Sequence, residues 1–299
     1  MTIEITAFTD PVCTWCWGSE PVLRAVKERY GDQVRITPVM GGLVKDIREF
    51  MDARNGIGGD PDGANRNVAR HYGEASARHG MPVQTEGFAL FSDGYPSTYP
   101  QNEAYLAAKQ QGTAIAATFL RRIREASAAE ARQTNRPEVL AELAAEVGLD
   151  VGAFLTALGD GTAKKAFADD LATTAAYGVR GFPSFVVDGG DDSRPLMLPS
   201  YQPYATFREV IRLVSNGTAV EATLPKDAEA IAGFIRRWGS AADIEITTTF
   251  ELTTAEWAEL APQVEAIEDI TVVATGNGRF FHADARAAGT CDLTTGVCG

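Results

Sequence analysis

The sequence predicts an α/β protein in which a strand–helix–strand unit at the N-terminus is separated from later strands by a long helical block. Alternating apolar residues over 3–9 and 34–40 indicate two strands. Between them, apolar positions at helical spacing from Cys16 to Tyr30 indicate a helix. The stretch from about 43 to 177 is rich in Ala, Arg and Glu, and it predicts a large helical insertion.

After the insertion the pattern returns to strands. The stretch GFPSFVVDG, residues 181–189, predicts a short buried strand closed by a turn, and residues 196–198 predict its hairpin partner. The apolar spacing over 204–214 then predicts a helix. These elements would complete a first domain over residues 1–218, with the helical insertion at about 43–177.

A smaller second domain is predicted for residues 219–299, beyond a loop around Pro225. We expect it to be α+β, and its order of helix, strand, helix and hairpin is winged-helix-like. Its predicted elements are helix 228–238, strand 244–250, helix 254–267 and strands 270–274 and 279–283.

The charge of the chain argues against nucleic-acid and anionic-membrane partners. The 299 residues carry a net charge of −13, and those from residue 219 on include 13 acidic and 5 basic residues. A DNA-binding face needs a basic patch, so we expect the second domain to pack or to bind a protein partner. No apolar run is long enough to span a membrane. The start MTIEITAFTD does not read as a secretory leader, so a cytoplasmic location is expected.

The four cysteines form two close pairs, Cys13/Cys16 in the stretch DPVCTWCWG and Cys291/Cys298 near the C-terminus. A structural zinc site needs four ligands, and the wide spacing of the second pair is unusual for one, so no metal is expected. A disulfide between Cys13 and Cys16 would close too small a loop to add much stability. An inert buried pair is an alternative, but in the cytoplasm thiol exchange is the favoured interpretation.

Thiol exchange needs one accessible thiolate and a second thiol that releases the mixed disulfide. Cys13 would lie at the N-terminus of the predicted helix, where free N–H groups stabilise a thiolate, and Cys16 would be shielded within the first turn. We therefore expect Cys13 to be the nucleophile and Cys16 the resolving thiol. Trp15 could form an apolar lip for a partner peptide, whereas Trp17 is expected in the core.

The second pair, Cys291/Cys298, lies in a Gly- and Thr-rich tail. It could be a second dithiol that relays electrons to Cys13 and Cys16. The alternatives are a local disulfide or two idle thiols, because chain termini are often poorly ordered.

Pro183 is the second part of the candidate site. A proline before a strand is usually a strand-start residue. Here Gly181 precedes it and a hydrophobic strand follows, after a helical block and before a hairpin. This order favours a cis Phe182–Pro183 bond in a loop that faces the cysteine pair.

The order of strand, Cys-x-x-Cys, helix, helical insertion and GFPS strand resembles the DsbA family of the thioredoxin superfamily. The likeness is closer to its cytoplasmic branch, whose active-site stretch reads D-P-x-C-x-x-C-W-x-x-E-P, where residues 10–21 read DPVCTWCWGSEP. Similarity continues through STYPQNEAYLAAKQQG (97–112) and YQPYATFREVI (201–211). The branch includes predicted disulfide isomerases and the YjbH/SpxH-type adapters of the ClpXP protease.

The resemblance implies a thioredoxin fold and a thiol–disulfide oxidoreductase or isomerase that acts, without a cofactor, on protein, peptide or small-thiol substrates. It implies Cys13 as nucleophile, Cys16 as resolving thiol and Pro183 as the residue that meets the substrate backbone. The residues that would line the substrate site are Phe182, Thr14 and Trp15. The alternative function is a non-enzymatic protease adapter. The Thr14-Trp15 pair contains no histidine to stabilise the thiolate, so a strong oxidant is not expected.

Overall fold

A computed structural model of the chain describes residues 2–190 and 193–284. The elements up to residue 214 are, in chain order, β1 (Ile3–Thr9), α1 (Thr14–Trp17), α2 (Glu20–Tyr30), β2 (Val34–Met40), β3 (Met51–Asp52), β4 (Ile57–Gly58), α3 (Pro61–His79), α4 (Tyr99–Lys109), α5 (Thr113–Ala128), α6 (Pro137–Glu146), α7 (Val151–Gly159), α8 (Thr162–Ala176), β5 (Ser184–Asp188), β6 (Leu196–Pro199) and α9 (Tyr204–Val214). The later elements are α10 (Ala228–Trp238), β7 (Ser240–Ala242), α11 (Asp243–Phe250), α12 (Thr254–Glu265), β8 (Ile270–Thr275) and β9 (Gly278–Ala283).

The first sheet has the strand order β2-β1-β5-β6. Strand β1 runs parallel to β2 and antiparallel to β5, and β5 pairs antiparallel with β6. The parallel pair needs a crossover, which α2 provides. Because Phe8 of β1 lies opposite Ser184 of β5, the residues after β1 meet those before β5 at one edge of the sheet. This edge holds both the Cys-x-x-Cys stretch and the Pro183 loop.

The predicted helical insertion is confirmed, since α3 to α8 all lie between β2 and β5. Helices α4 to α8 pack around buried aromatic residues, among them Phe119 and Phe154. The other face of the molecule is built by α2 and α9, where Val26 and Phe207 pack on Ile5 of the central strand. The sheet therefore lies in a continuous hydrophobic core that fixes its edge residues.

The single helix expected from Cys16 to Tyr30 is divided into α1 and α2. The break has a local cause, because Pro21 has no N–H to donate and favours the first turn of a new helix. Gly18 lies in the break, and a Cβ there would come within 2.4 Å of the His79 ring. The kink thus lets α3 approach the cysteine stretch closely.

The C-terminal segment has the expected α+β character, with a three-stranded sheet in the order β7-β9-β8. The expected strand over 244–250 is wrong, because these residues form α11. Its β-branched residues favour a strand in isolation. However, Ile246, Thr249 and Phe250 are buried at helical spacing, and Glu245 accepts a hydrogen bond from the Ala242 N–H at 2.8 Å. Tertiary packing therefore overrides the local preference.

The C-terminal segment packs closely against the sheet domain. The Arg29 side chain of α2 donates to the Thr249 carbonyl at 2.9 Å, and Phe280 of β9 lies 6.3 Å from the Trp17 ring. The division at residue 218 stays a prediction. In the part of the chain that the structure describes, no helix is both long and apolar enough to cross a bilayer.

Candidate active site

Cys13 lies immediately before α1, as its N-cap residue. Its sulfur accepts a hydrogen bond from the Cys16 backbone N–H at 3.4 Å. Both thiols are free, and the exposed fraction is 6% for Cys13 and 1% for Cys16. Cys13 is therefore the thiol that an incoming group reaches first, and Cys16 lies behind it.

The Pro183 loop faces the Cys13 sulfur across the edge of the sheet. The Phe182–Pro183 peptide bond is cis. The Cys13 thiol donates to the Phe182 carbonyl oxygen at 3.5 Å. The Phe182 ring also fills the space beside Gly41, where a Cβ would lie only 1.9 Å from the ring. Glycine at the end of β2 thus allows the loop to reach the sulfur.

A small cavity of about 210 Å³ opens beside Cys13. Its walls are mainly apolar and include Thr14, Trp15 and Phe182. A larger and more polar cavity of about 650 Å³ lies beyond Trp15, which lines both. Trp15 is half-buried, so part of its ring remains available at the rim, whereas Trp17 is buried in the core as expected.

Thr14 is held from below by His79, a residue whose role the sequence did not indicate. The Met81 backbone N–H donates to His79 Nδ1 at 3.1 Å, so the neutral ring carries its proton on Nε2. This nitrogen lies 3.4 Å from the Thr14 hydroxyl oxygen and can donate to it. Burial lowers the pKa of His79 to about 4, so the neutral form is present at neutral pH.

The two thiols titrate as a coupled pair. The hydrogen bond with Cys16, followed by burial, raises the pKa of Cys13 well above its ordinary value. Burial also acts to raise the pKa of Cys16, but the Cys13 thiol, the Arg124 guanidinium and the Thr9 hydroxyl outweigh it and lower that pKa. The first proton lost leaves one thiolate, which the remaining thiol stabilises.

This distribution differs from the expectation that the helix N-terminus makes Cys13 the more acidic thiol. Helix α1 contains only four residues, so few aligned peptide dipoles act on Cys13. Cys16, in contrast, lies near a full positive charge on Arg124. Access selects Cys13 as the attacking sulfur, while the surrounding charges favour a thiolate at Cys16.

Asp10 holds the chain that leads into the cysteine pair. Its carboxylate is fully buried and accepts from the Val12 N–H at 3.0 Å and the Leu43 N–H at 2.7 Å. It also accepts from Asn102 Nδ2 at 2.9 Å and the Thr98 hydroxyl at 3.3 Å. Desolvation raises the pKa of this carboxyl group. Asp10 thus connects the start of the active-site stretch to α4 and to the loop after β2.

Six of the predicted site residues are therefore brought together at one edge of the sheet, namely Cys13, Thr14, Trp15, Cys16, Phe182 and Pro183. The predicted second dithiol, Cys291/Cys298, lies outside the described residues. Among the residues that the structure describes, no group of three or more metal-ligating side chains is close enough to hold an ion.

A dithiol at the start of a helix, opposite a cis-proline loop at the edge of a mixed sheet, defines the class of thioredoxin-fold proteins. A family profile described as Thioredoxin matches residues 7–209, which is more than half of the chain. The chain belongs to this thioredoxin family, and its fold is DsbA-like, with the large helical insertion described above.

Sequence relatives cover nearly the whole chain. The ClpXP adapter protein SpxH of Halalkalibacterium halodurans is 26% identical over 283 residues, which cover 94% of this chain and 88% of the relative. The ClpXP adapter protein SpxH of Shouchella clausii is 27% identical over 255 residues, covering 85% and 79%. The solved structure of the cytosolic disulfide reductase DsbM from Pseudomonas aeruginosa superposes with a TM-score of 0.52 and 25% identity, covering 72% of this chain and 93% of that protein.

Proposed function

We propose that this protein is a thiol–disulfide oxidoreductase that exchanges electrons with protein or peptide substrates through Cys13 and Cys16. The observation that carries the proposal is the position of the Cys13 sulfur, between the start of α1 and the cis Phe182–Pro183 loop. The apolar cavity beside this sulfur has room for one side chain next to a substrate disulfide.

In the reducing direction, the Cys13 thiolate attacks one sulfur of the substrate disulfide. The first substrate sulfur leaves as a thiolate, and a mixed disulfide forms at Cys13. An extended substrate backbone would lie along the loop at Pro183, with Trp15 and Thr14 at its sides. Cys16 then attacks Cys13 and releases the second substrate thiol. The oxidising direction is the reverse of these steps.

The residues between the cysteines favour a mild exchanger. Thr14 is engaged with His79, and Trp15 carries no charge. Neither residue stabilises a Cys13 thiolate in the way that a histidine cation would. We place the activity in the cytoplasm, where a reducing thiol pool keeps such a pair mainly in the dithiol form.

The catalytic role of Cys13 is tested by measuring reduction of insulin disulfides in the presence of dithiothreitol. We expect the wild-type chain to accelerate reduction and the Cys13→Ser variant to fall to the uncatalysed rate, because serine cannot form the mixed disulfide. The Cys291→Ser/Cys298→Ser variant is the matched control and should retain the wild-type rate. Full activity of Cys13→Ser would contradict the proposal.

A second candidate function is that of a protease adapter, and it is favoured by the names of the sequence relatives. In this role the same groove and the C-terminal segment would bind a client protein without redox chemistry. The two functions differ in their need for sulfur. An adapter would still deliver its client to the protease as the Cys13→Ser/Cys16→Ser variant, whereas an oxidoreductase would lose its turnover.

A further inference from the structure

A buried arginine lies on the inner side of the cysteine pair. Arg124, on α5, is only 4% exposed. Its guanidinium forms a close ion pair with Glu20 at the start of α2 and donates a close hydrogen bond to the Thr9 hydroxyl oxygen at the end of β1. An arginine is rarely buried so deeply unless its charge is paired and its donors are used.

Arg124 is one end of a cluster of six buried charges. Arg121 lies between Glu20 at 3.9 Å and Glu245 of α11 at 2.8 Å, and Arg24 contacts Glu245 at 3.2 Å. The six side chains are three acidic and three basic, and none is more than 12% exposed: Glu20, Arg24, Arg121, Arg124, Glu125 and Glu245. The cluster is therefore electrically balanced, and it fixes the orientation of Arg124.

The contact with Arg124 also determines where the Thr9 hydroxyl hydrogen can point. A guanidinium group has only donors, so the Thr9 oxygen must be the acceptor in this pair. The hydroxyl hydrogen is then free to point to a different acceptor. The Cys16 sulfur is in hydrogen-bonding contact with this hydroxyl.

We propose that Arg124 is a positioning residue for the release step, in which it orients the Thr9 hydroxyl toward Cys16 and stabilises the Cys16 thiolate by its charge. This inference deepens the proposed function and rests on it. Cys16 is the thiol that must attack while Cys13 is held in the mixed disulfide. A buried thiol would otherwise resist ionisation at neutral pH.

The release step balances without any further reactant. The Cys16 thiol loses its proton, and the thiolate attacks the Cys13 sulfur. A Cys13–Cys16 disulfide forms, and the bond between Cys13 and the substrate sulfur breaks. The electron pair leaves on the substrate sulfur, which takes up a proton in place of the one lost by Cys16. The dithiol is thereby oxidised by two electrons, and the substrate disulfide is reduced by two.

Other groups also face the thiol pair and enter its titration. Asp10 and Tyr72 are buried near it, and their negative forms oppose a second negative charge. Cys13 itself acts on Cys16 through the shared hydrogen bond. A titration of Cys16 therefore has to be made with Cys13 removed and with Asp10 and Tyr72 left in place.

The test is a pH titration of the Cys16 thiolate by its ultraviolet absorbance. The parent chain carries Cys13→Ser together with Cys291→Ser and Cys298→Ser, so that Cys16 is the remaining cysteine. A chain that also carries Cys16→Ser supplies the baseline and removes the tyrosine signal. The variants compared in this background are Arg124→Lys, Thr9→Val and the neutral pair Glu20→Gln/Arg124→Gln, with Arg122→Gln as control.

We expect the neutral pair to raise the midpoint of Cys16 by about one to three pH units, since an opposite charge nearby shifts a pKa by that amount. Thr9→Val keeps the side-chain shape and should raise the midpoint through the lost hydrogen bond alone. Arg124→Lys keeps the charge and should return the midpoint part of the way to the parent. Arg122 lies on the same helix but pairs with Glu130 and Glu146, so Arg122→Gln should not move the midpoint.

The inference is overturned if the neutral pair and Thr9→Val leave the midpoint where Arg122→Gln leaves it. Because Thr9→Val removes no charge, it tests the inference even if the Arg124 variants do not fold. The titration does not depend on turnover, so it is separable from the proposed function. Insulin reduction without a shifted midpoint would contradict the role of Arg124 alone, and a shifted midpoint in a wild-type chain that reduces no disulfide would contradict the proposed function.

Discussion

Replacing Glu245 by alanine is expected to lower the free energy of unfolding by about 3 to 5 kcal/mol, because it leaves two buried guanidinium groups without their anion. The Glu245 side chain is fully buried. Its carboxylate accepts two hydrogen bonds from Arg121, at 2.8 and 3.0 Å, and lies 3.2 Å from Arg24. The six-charge cluster would then hold an excess positive charge away from water.

Urea unfolding of the full chain measures this loss. Glu245→Gln keeps the shape of the side chain but not its charge, so we expect it to show most of the same loss. Glu209→Ala is the matched control, since Glu209 pairs with Arg212 on the surface, and such pairs contribute about 0 to 1 kcal/mol. A loss for Glu245→Ala no greater than that for Glu209→Ala would show that the cluster does not hold the C-terminal segment to the sheet domain.

The second large effect is expected at Asp10, where alanine should lower the free energy of unfolding by about 3 kcal/mol. The substitution leaves four buried donors without an acceptor, among them the Val12 and Leu43 backbone N–H groups. Each orphaned donor costs roughly 1 to 3 kcal/mol before relaxation. Loss of the desolvation cost of the carboxylate itself offsets part of this sum.

The Asp10 prediction is checked by comparing thermal and urea unfolding of Asp10→Ala with those of Asp93→Ala. Asp93 is exposed, and a substitution at such a position usually changes stability by less than about 0.5 kcal/mol. Equal stability of the two variants would mean that the hydrogen bonds to Asp10 do not fix the stretch before Cys13.

The local pattern of the sequence predicts most of the fold because the sheet domain keeps each local preference. The strands at 3–9 and 34–40 form as predicted, since their apolar residues meet the same core that the pattern implies. The helical insertion follows for the same reason. The segment 244–250 departs from its prediction because its environment, and not its β-branched composition, decides its structure. Burial of Ile246 and Phe250 on one helical face is a property of the assembled fold.

The candidate site was predictable where it depends on a motif and was missed where it depends on distant residues. Cys13, Cys16 and Pro183 lie in two recognisable stretches. Arg124 lies in an arginine-rich helix, and nothing in that helix shows which arginine is buried beneath the thiols. The preference for a thiolate at Cys16 could not be predicted either. It arises from contacts between β1, α1 and α5 that only the folded chain creates.

The central claim, that Cys13 and Cys16 perform thiol–disulfide exchange in this order, is tested most directly by trapping the mixed disulfide. The Cys16→Ala variant is incubated with a disulfide-linked peptide, and the adduct is mapped by mass spectrometry after proteolysis. We expect a reducible adduct on Cys13 that accumulates in Cys16→Ala, is released in the wild-type chain and is absent from Cys13→Ser/Cys16→Ala. The account would be contradicted if Cys16→Ala formed no adduct on Cys13, or if it released its adduct as fast as the wild-type chain does.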